Sequence, residues 1–285
     1  MGMTSPALAH QTPYGRMYSR RLGGTPEVPS ITNVIGQADA GMGGWIGHMA
    51  ATAVVQDQRL AAAVGDPAKL RAVAREASGA ADAFRDAAAA RGDRVHHYCE
   101  QVALAALGRP DEAGAARAAL EEHGEGAFAA RFDQWWETYR VVPLAAEVTV
   151  WNHAVGYAGT LDLVAEIGGR VCLIDYKTKG TDREGRVKAL DPKVVMQLAA
   201  GCKAEEMLVD PQAGTWEPWP YGADPMLLGV AIGETEVRPM MVDPAVLPAY
   251  WSRFWALRQV WASGLKVQEA GVPLRPVGPP PVPAT

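Results

Sequence analysis

Asp162, Asp175 and Lys177 fall within a span of sixteen residues in the segment GTLDLVAEIGGRVCLIDYKTK, residues 159–179. Residues 157–167 and 170–177 are rich in Leu, Val, Ile and Tyr. The Gly168-Gly169 pair between them is a two-residue hairpin signal, so the spacing predicts two antiparallel strands. Side chains two apart on a strand share a face, which sends Asp175 and Lys177 one way and Tyr176 the other. With the turn centred on Gly168-Gly169, Asp162 falls opposite Asp175, and directly opposed like charges need something to neutralise them. Two carboxylates that can share a divalent cation, with an ammonium beside them, suit metal-assisted hydrolysis of a phosphodiester. The cation polarises the phosphoryl oxygen and lowers the pKa of a water; the lysine aligns that water and offsets charge that develops in the transition state. Gly159 marks either a bulge or a close approach of another backbone.

The elements that position these groups read as a helical region wrapped around a small sheet, an α/β arrangement. Ser30 is a helix N-cap for ITNVIG. The run GMGGWIG at 41–47 departs from GxGxxG, because Ile46 stands at the third glycine, and it reads as the entrance to a helix. His48 there is a packed or surface histidine. Alanine-rich helices are expected over 66–107 and 113–140. Phe128, Phe132, Trp135, Trp136 and Tyr139 recur at helical spacing, as core packing. Strands follow at 145–152, 157–167 and 170–177, then a helix over 192–208 with Pro192 in its first turn. A strand pair at 227–233 and 236–242 turns near Gly233 and Glu234. A last helix over 244–262 docks an aromatic face carrying Tyr250, Trp251, Phe254, Trp255 and Trp261. His96 and His97 are adjacent late in the first alanine-rich helix, and only one of them can face the sheet. Glu100 lies one turn from His96 on the same side.

At 285 residues with 48% hydrophobic content, the chain can bury a substantial core. No uncharged apolar run approaches the ~18 residues of a membrane span. The start MGMTSPALAHQTPYGR lacks the charged head and apolar core of a secretory leader, and a cytoplasmic protein is expected. Cys99, Cys172 and Cys202 are scattered without a CxxC pair, as buried small hydrophobes in a reducing compartment. The net charge of −5 argues against indiscriminate nucleic-acid binding. Its distribution is uneven: Lys177, Lys179, Arg183, Arg186, Lys188 and Lys193 outnumber Asp182, Glu184 and Asp191. That stretch reads equally as a phosphate-facing flank or as a solvated loop with Gly180 and Gly185 as its flexible points. A P-loop, an HExxH zinc site and a GxSxG elbow are all absent from the sequence.

The Asp162…Asp175-Tyr176-Lys177 pattern resembles the core of the PD-(D/E)xK nuclease superfamily, within it the RecB-like and phage exonuclease-like branch. Gly92-Asp93-Arg94-Val95-His96 is similar to that branch's GxxxH element, and Met196-Gln197-Leu198-Ala199-Ala200 to the start of its QxxxY helix. The four elements stand in family order across residues 92–201. The departure is Gly201, where the pattern has Tyr.

The resemblance implies a restriction-endonuclease-like core, a mixed central β-sheet flanked by helices, with a helical N-terminal region. It implies His96, Asp162, Asp175 and the Tyr176 backbone carbonyl as ligands of Mg²⁺ or Mn²⁺, and Lys177 as the catalytic lysine. Gln197 positions that lysine or the nucleic-acid backbone, and Glu147 matches an acidic position before the GxxD strand. Lys179, Arg183, Arg186, Lys188 and Lys193 are the corresponding DNA-contact candidates. Three cysteines cannot supply the four that hold an iron–sulfur cluster in some relatives, so no cluster is expected. The expected organisation is a flexible segment at 1–28, one nuclease domain at 29–268 (helical to 140, sheet-centred catalytic core from 141) and a proline-rich disordered tail at 269–285. The implied activity is a metal-dependent deoxyribonuclease, by family likeness an exonuclease of recombination or repair in a bacterial or phage-infected cell, leaving 5′-phosphates. DNA is the implied partner, a single-strand annealing protein or helicase a further one, and homo-oligomers occur among processive relatives. The rivals are a catalytically inactive DNA-binding or scaffold relative, and an unrelated enzyme in which the three charges form a structural cluster.

Overall fold

The computed structural model describes residues 6–38, 41 and 43–278. A seven-stranded sheet runs in the order β10-β9-β6-β5-β4-β7-β8. Its strands are β4 (Val142–Asn152), β5 (Tyr157–Ile167), β6 (Arg170–Thr178), β7 (Glu206–Asp210), β8 (Thr215–Pro218), β9 (Met226–Ile232) and β10 (Val237–Met241). All neighbours are antiparallel except β6 and β9, which are parallel. The sheet is therefore mixed, with helices on both faces.

On one face lie α5 (Ala80–Ala106), α6 (Ala113–Glu122) and α7 (Gly126–Tyr139). Their Tyr98, Leu120, Phe128, Phe132 and Trp135 pack with Leu163, Ile174, Tyr176 and Val230 from the sheet. In α7, Phe128, Phe132, Trp135 and Trp136 are core packing, as their spacing predicts, whereas Tyr139 at the helix end is exposed. On the other face, α8 (Lys193–Cys202) seals Leu161, Leu173 and Val150 with Val194 and Leu198. Beside it, α1 (Ile31–Ile35) and α9 (Leu247–Glu269) enclose Tyr157 and Phe254. α9 follows a short 3₁₀ turn, Pro244–Val246. Ser30 caps α1, its Oγ accepting from the Asn33 N–H at 3.0 Å.

Several expected boundaries move for local reasons. The alanine-rich stretches are each two helices. α4 (Pro67–Ala77) and α5 break at Ser78-Gly79, and α6 and α7 break around Gly124, whose φ is +70°. The helix expected over 192–208 stops at Cys202, and its last residues belong to β7. Preceding these, α2 (Gly43–Gln56) starts inside the glycine-rich run, whose Met42 lies outside the described residues, and α3 spans Leu60–Ala63. His48 is exposed on α2.

The largest correction is at the N-terminus. The sequence predicts a flexible segment at 1–28, yet from residue 6 it is built into the fold. β1 (Ala9–Thr12), β2 (Gly15–Tyr18) and β3 (Val28–Pro29) form a second sheet. It buries Leu8 and Tyr18 against Trp151 and Ala158 of the main sheet. Residues 1–5 and the end of the expected tail, 279–285, lie outside the described residues; 271–278 form neither helix nor strand. Among the described residues no helix is long and apolar enough to cross a membrane.

Candidate active site

The hairpin that carries the carboxylates forms as its spacing predicts. Ile167 pairs with Arg170 across Gly168 and Gly169, whose φ values of +58° and +77° suit a two-residue turn that L side chains resist. The ladder runs back to Leu163↔Ile174, and one step further places Asp162 across from Asp175. At that step the Asp162 side chain takes over from the backbone: its Oδ2 accepts the Tyr176 N–H at 2.7 Å. Tyr176 turns its ring into the α5–α7 core, against Phe132 and Trp135. Asp175 sits on the opposite face, beside Gly229 of β9, and is 3% exposed.

Glu147 reaches the same point from β4 through an irregular backbone. Its φ is +52°, a left-handed conformation that is uncommon for a residue with a Cβ. The ladder pairs Ala146 with Leu163 and Val148 with Leu161, which leaves Glu147 across from Asp162. Ala146 and Leu163 pack on the α5–α7 side, whereas Val148 and Leu161 pack on the α8 side. Residues two apart on a regular strand share a face, so both strands switch faces at Glu147 and Asp162.

A cavity of about 170 Å³ opens there, and its wall includes His96, Glu147, Asp162, Lys177 and Gln197. Five of the expected site residues, from α5, β4, β5, β6 and α8, thus meet at one place. His96 Nδ1 is 3.8 Å from Asp162 Oδ2, and His97 turns to Glu100 at 3.5 Å. Of the adjacent pair, it is His96 that stands over the Asp162 carboxylate. Asp175 does not line the cavity. It lies behind Lys177, whose Nζ touches Asp175 Oδ2 at 2.6 Å without hydrogen-bond alignment, and also reaches the Tyr176 carbonyl at 3.2 Å. That carbonyl, expected as a metal ligand, is engaged by the lysine.

The electrostatics are those of crowded, desolvated acids. Burial pushes Asp175 up to about 6, with the Lys177 ammonium pulling down against it and Asp162 pushing up. Burial also raises Asp162, opposed by Lys177 and the Tyr176 N–H. Glu147 rises well above the carboxylate range through burial and the nearby Asp162 and Glu100. Lys177 is raised: burial works against its charge, but Asp175 and Asp162 outweigh it. Burial and then Lys177 hold His96 down to about 4. At neutral pH His96 is therefore uncharged and has a lone pair to offer.

The donor set, one neutral imidazole among carboxylates, suits an oxygen-preferring divalent cation such as Mg²⁺ or Mn²⁺. Three desolvated acids, all raised by burial and two of them, Glu147 and Asp175, raised further by Asp162, have the demand for positive charge that such a cation satisfies. Among the described residues no three His, Cys, Asp or Glu side chains already converge as a ligand shell; the Lys177 ammonium occupies the flank of Asp175.

The cavity wall also carries residues that the sequence reading passed over: Arg16 of β2, Thr32 of α1 and Thr160 of β5. Thr160 had a signal, lying two residues before Asp162 on the same strand. Arg16 and Thr32 had none, since both come from elements that dock across the chain. The basic loop behaves differently. None of Lys179, Arg183, Arg186, Lys188 and Lys193 lines this cavity, and Arg186 is paired with Asp182 and Glu184. Gly201 faces the sheet, where a Cβ would stand 2.8 Å from Leu161 Cδ2 and 3.0 Å from Leu173 Cδ2. The side chain that the QxxxY pattern calls for has no room there. Gly159 marks neither a bulge nor the approach of a backbone: its pairing with Val150 is regular, and a Cβ would meet the Ile31 side chain of α1, Cδ1 at 2.5 Å.

No family model matches the chain, and no curated protein matches it. Among solved structures, one titled "Crystal structure of SSO0001" is similar over 56% of this chain and 74% of that one, with 14% identity and a TM-score of 0.25. So loose a superposition shares too little geometry to bear on the chemistry.

Proposed function

We propose that the chain is a metal-dependent deoxyribonuclease of the PD-(D/E)xK kind. The observation that supports this reading is the meeting of His96, Glu147, Asp162, Lys177 and Gln197, from five elements, around one cavity with Asp175 directly behind. A divalent cation, when bound, would polarise the scissile phosphoryl group and acidify a water. His96 and Asp162 would hold it from the cavity side, and Asp175 once its Lys177 contact opens. Glu147 adds a carboxylate whose ionisation the cation would favour.

Lys177 keeps its proton and stands at the junction of the carboxylates and the cavity. From there it orients the attacking water and offsets negative charge on the phosphoryl oxygens as they develop it. Gln197, on the cavity-facing side of α8, is placed to hold Lys177 or a phosphate oxygen. Products would carry 5′-phosphates. The reading favours an exonuclease acting in recombination or repair.

The test is digestion of end-labelled linear and closed circular DNA with Mg²⁺ or Mn²⁺, comparing wild type with Asp175→Ala and Lys177→Ala. Metal-dependent loss of the linear form alone is expected, slowed by about a hundredfold or more in each variant. If wild type leaves every substrate intact, the nuclease reading fails.

A further inference from the structure

Arg16 lies partly buried on β2 and lines the carboxylate cavity. A guanidinium carries five donors and stays charged, and one held half out of water usually has an acidic partner. Arg16 makes no side-chain hydrogen bond or ion pair with any described residue, although Arg20 on the same small sheet is paired with Glu206 at 2.7 Å.

Its backbone is anchored. The Arg16 carbonyl accepts from Ser30 N at 2.9 Å and from Asn33 Nδ2 at 3.2 Å. Gly15 before it lies so close to Asn33 that a Cβ would stand 2.6 Å from Nδ2. Two residues on, Tyr18 shares the face of Arg16, and its hydroxyl meets Thr160 Oγ1 at 3.0 Å on the cavity wall. Arg16 and Glu147 both act electrostatically on that hydroxyl, in opposite directions. The N-terminal sheet thus anchors the backbone of Arg16 at the rim of the acidic cavity, and its guanidinium has no hydrogen-bond or ion-pair partner among the described residues.

We infer that Arg16 is the cation that grips a DNA phosphate beside the carboxylates, and that the N-terminal sheet is a substrate-binding wall. This rests on the nuclease reading above. A planar guanidinium can hold two phosphate oxygens at once, and the basic loop after β6 does not reach the cavity.

The experiment uses the full chain and a short fluorescein-labelled single-stranded oligonucleotide. Anisotropy gives affinity in EDTA and in Ca²⁺, and kcat and KM are measured with Mn²⁺. The proteins compared are wild type, Arg16→Ala, Arg16→Lys and Arg75→Ala, the last an exposed cation on α4 outside the cavity. Arg16→Ala should weaken binding by roughly ten- to a hundredfold, the weight of a charged hydrogen-bonded contact. It should also flatten the salt dependence by about one unit of slope. Arg16→Lys should recover part of the affinity, and Arg75→Ala should match wild type. Melting curves of the Arg16 variants should lie close to wild type, because no described residue loses a hydrogen bond or an ion pair. If wild type binds and cuts while Arg16→Ala matches it, or if Arg75→Ala weakens binding equally, the Arg16 assignment is wrong and the nuclease reading stands. If wild type neither cuts nor binds, both fall.

Discussion

Glu147 stands across from Asp162 where β4 and β5 exchange faces, and it does so in a left-handed conformation, φ +52°. Non-glycine residues in that region are strained by about 1–2 kcal/mol. The strain holds this carboxylate beside Asp162 and Glu100, whose charges add to burial in raising its pKa. A regular pleat at this position would keep Val148 on the face of Ala146 and dismantle the α8-side core.

Glu147→Gly should therefore be stabilising in the absence of metal. It relieves the left-handed backbone and removes a buried acid beside Asp162. A rise of a few degrees in melting temperature, about 1 kcal/mol, is expected in EDTA. A lower melting temperature would show that the Glu147 side chain contributes more by packing than its backbone costs.

Divalent metal should raise the melting temperature of wild type, by about 2.7 kcal/mol of added stability at a hundredfold excess over Kd. Asp162→Ala and Asp175→Ala should lose most of this shift. Lys177→Met should keep it or enlarge it while abolishing cleavage, because it removes the ammonium that competes for Asp175 at 2.6 Å. A thermal titration with Mn²⁺ reads both, and loss of the shift in Lys177→Met would assign the lysine to metal binding instead.

Gly201→Ala should destabilise the protein by about 1–3 kcal/mol, since its Cβ must displace Leu161 and Leu173 in a packed core. Gly201→Tyr should not fold to the native state. Urea unfolding of the alanine variant checks the first. An unchanged midpoint would mean that α8 can lift off the sheet.

Glu206 on β7 gives the acid-side prediction. Partial burial raises its pKa, but the hydrogen bonds from His153 at 3.0 Å and Arg20 at 2.7 Å outweigh this and hold it below the usual carboxylate range. A depressed folded-state pKa stabilises the fold above the unfolded carboxylate pKa, and that stability is lost as pH falls through the folded value. Glu206→Gln should be less stable than wild type near neutrality, and the gap should close on acidification. Melting temperatures from about pH 7 down to about pH 3 follow it; a gap that stays constant with pH would mean the charge plays no part.

The features legible in the sequence are local ones. The alternation in β5 and β6, the Gly168-Gly169 turn and the cap at Ser30 all follow from rules that act within a few residues. These placed Asp162 across from Asp175 and sent Tyr176 to the far face. Asp175, Tyr176 and Lys177 needed nothing beyond strand periodicity.

The remainder depends on long-range packing. Arg16 reaches the cavity because the N-terminal sheet docks on β5 through Tyr18 and Thr160, a contact between residues 142 positions apart. Gly201 turns to the sheet because α8 packs close on Leu161 and Leu173. Asp175 is screened by Lys177, and His96 rather than His97 stands at Asp162. Each is settled by which surfaces pack together over long separations, and periodicity along one element carries no information about its distant partner.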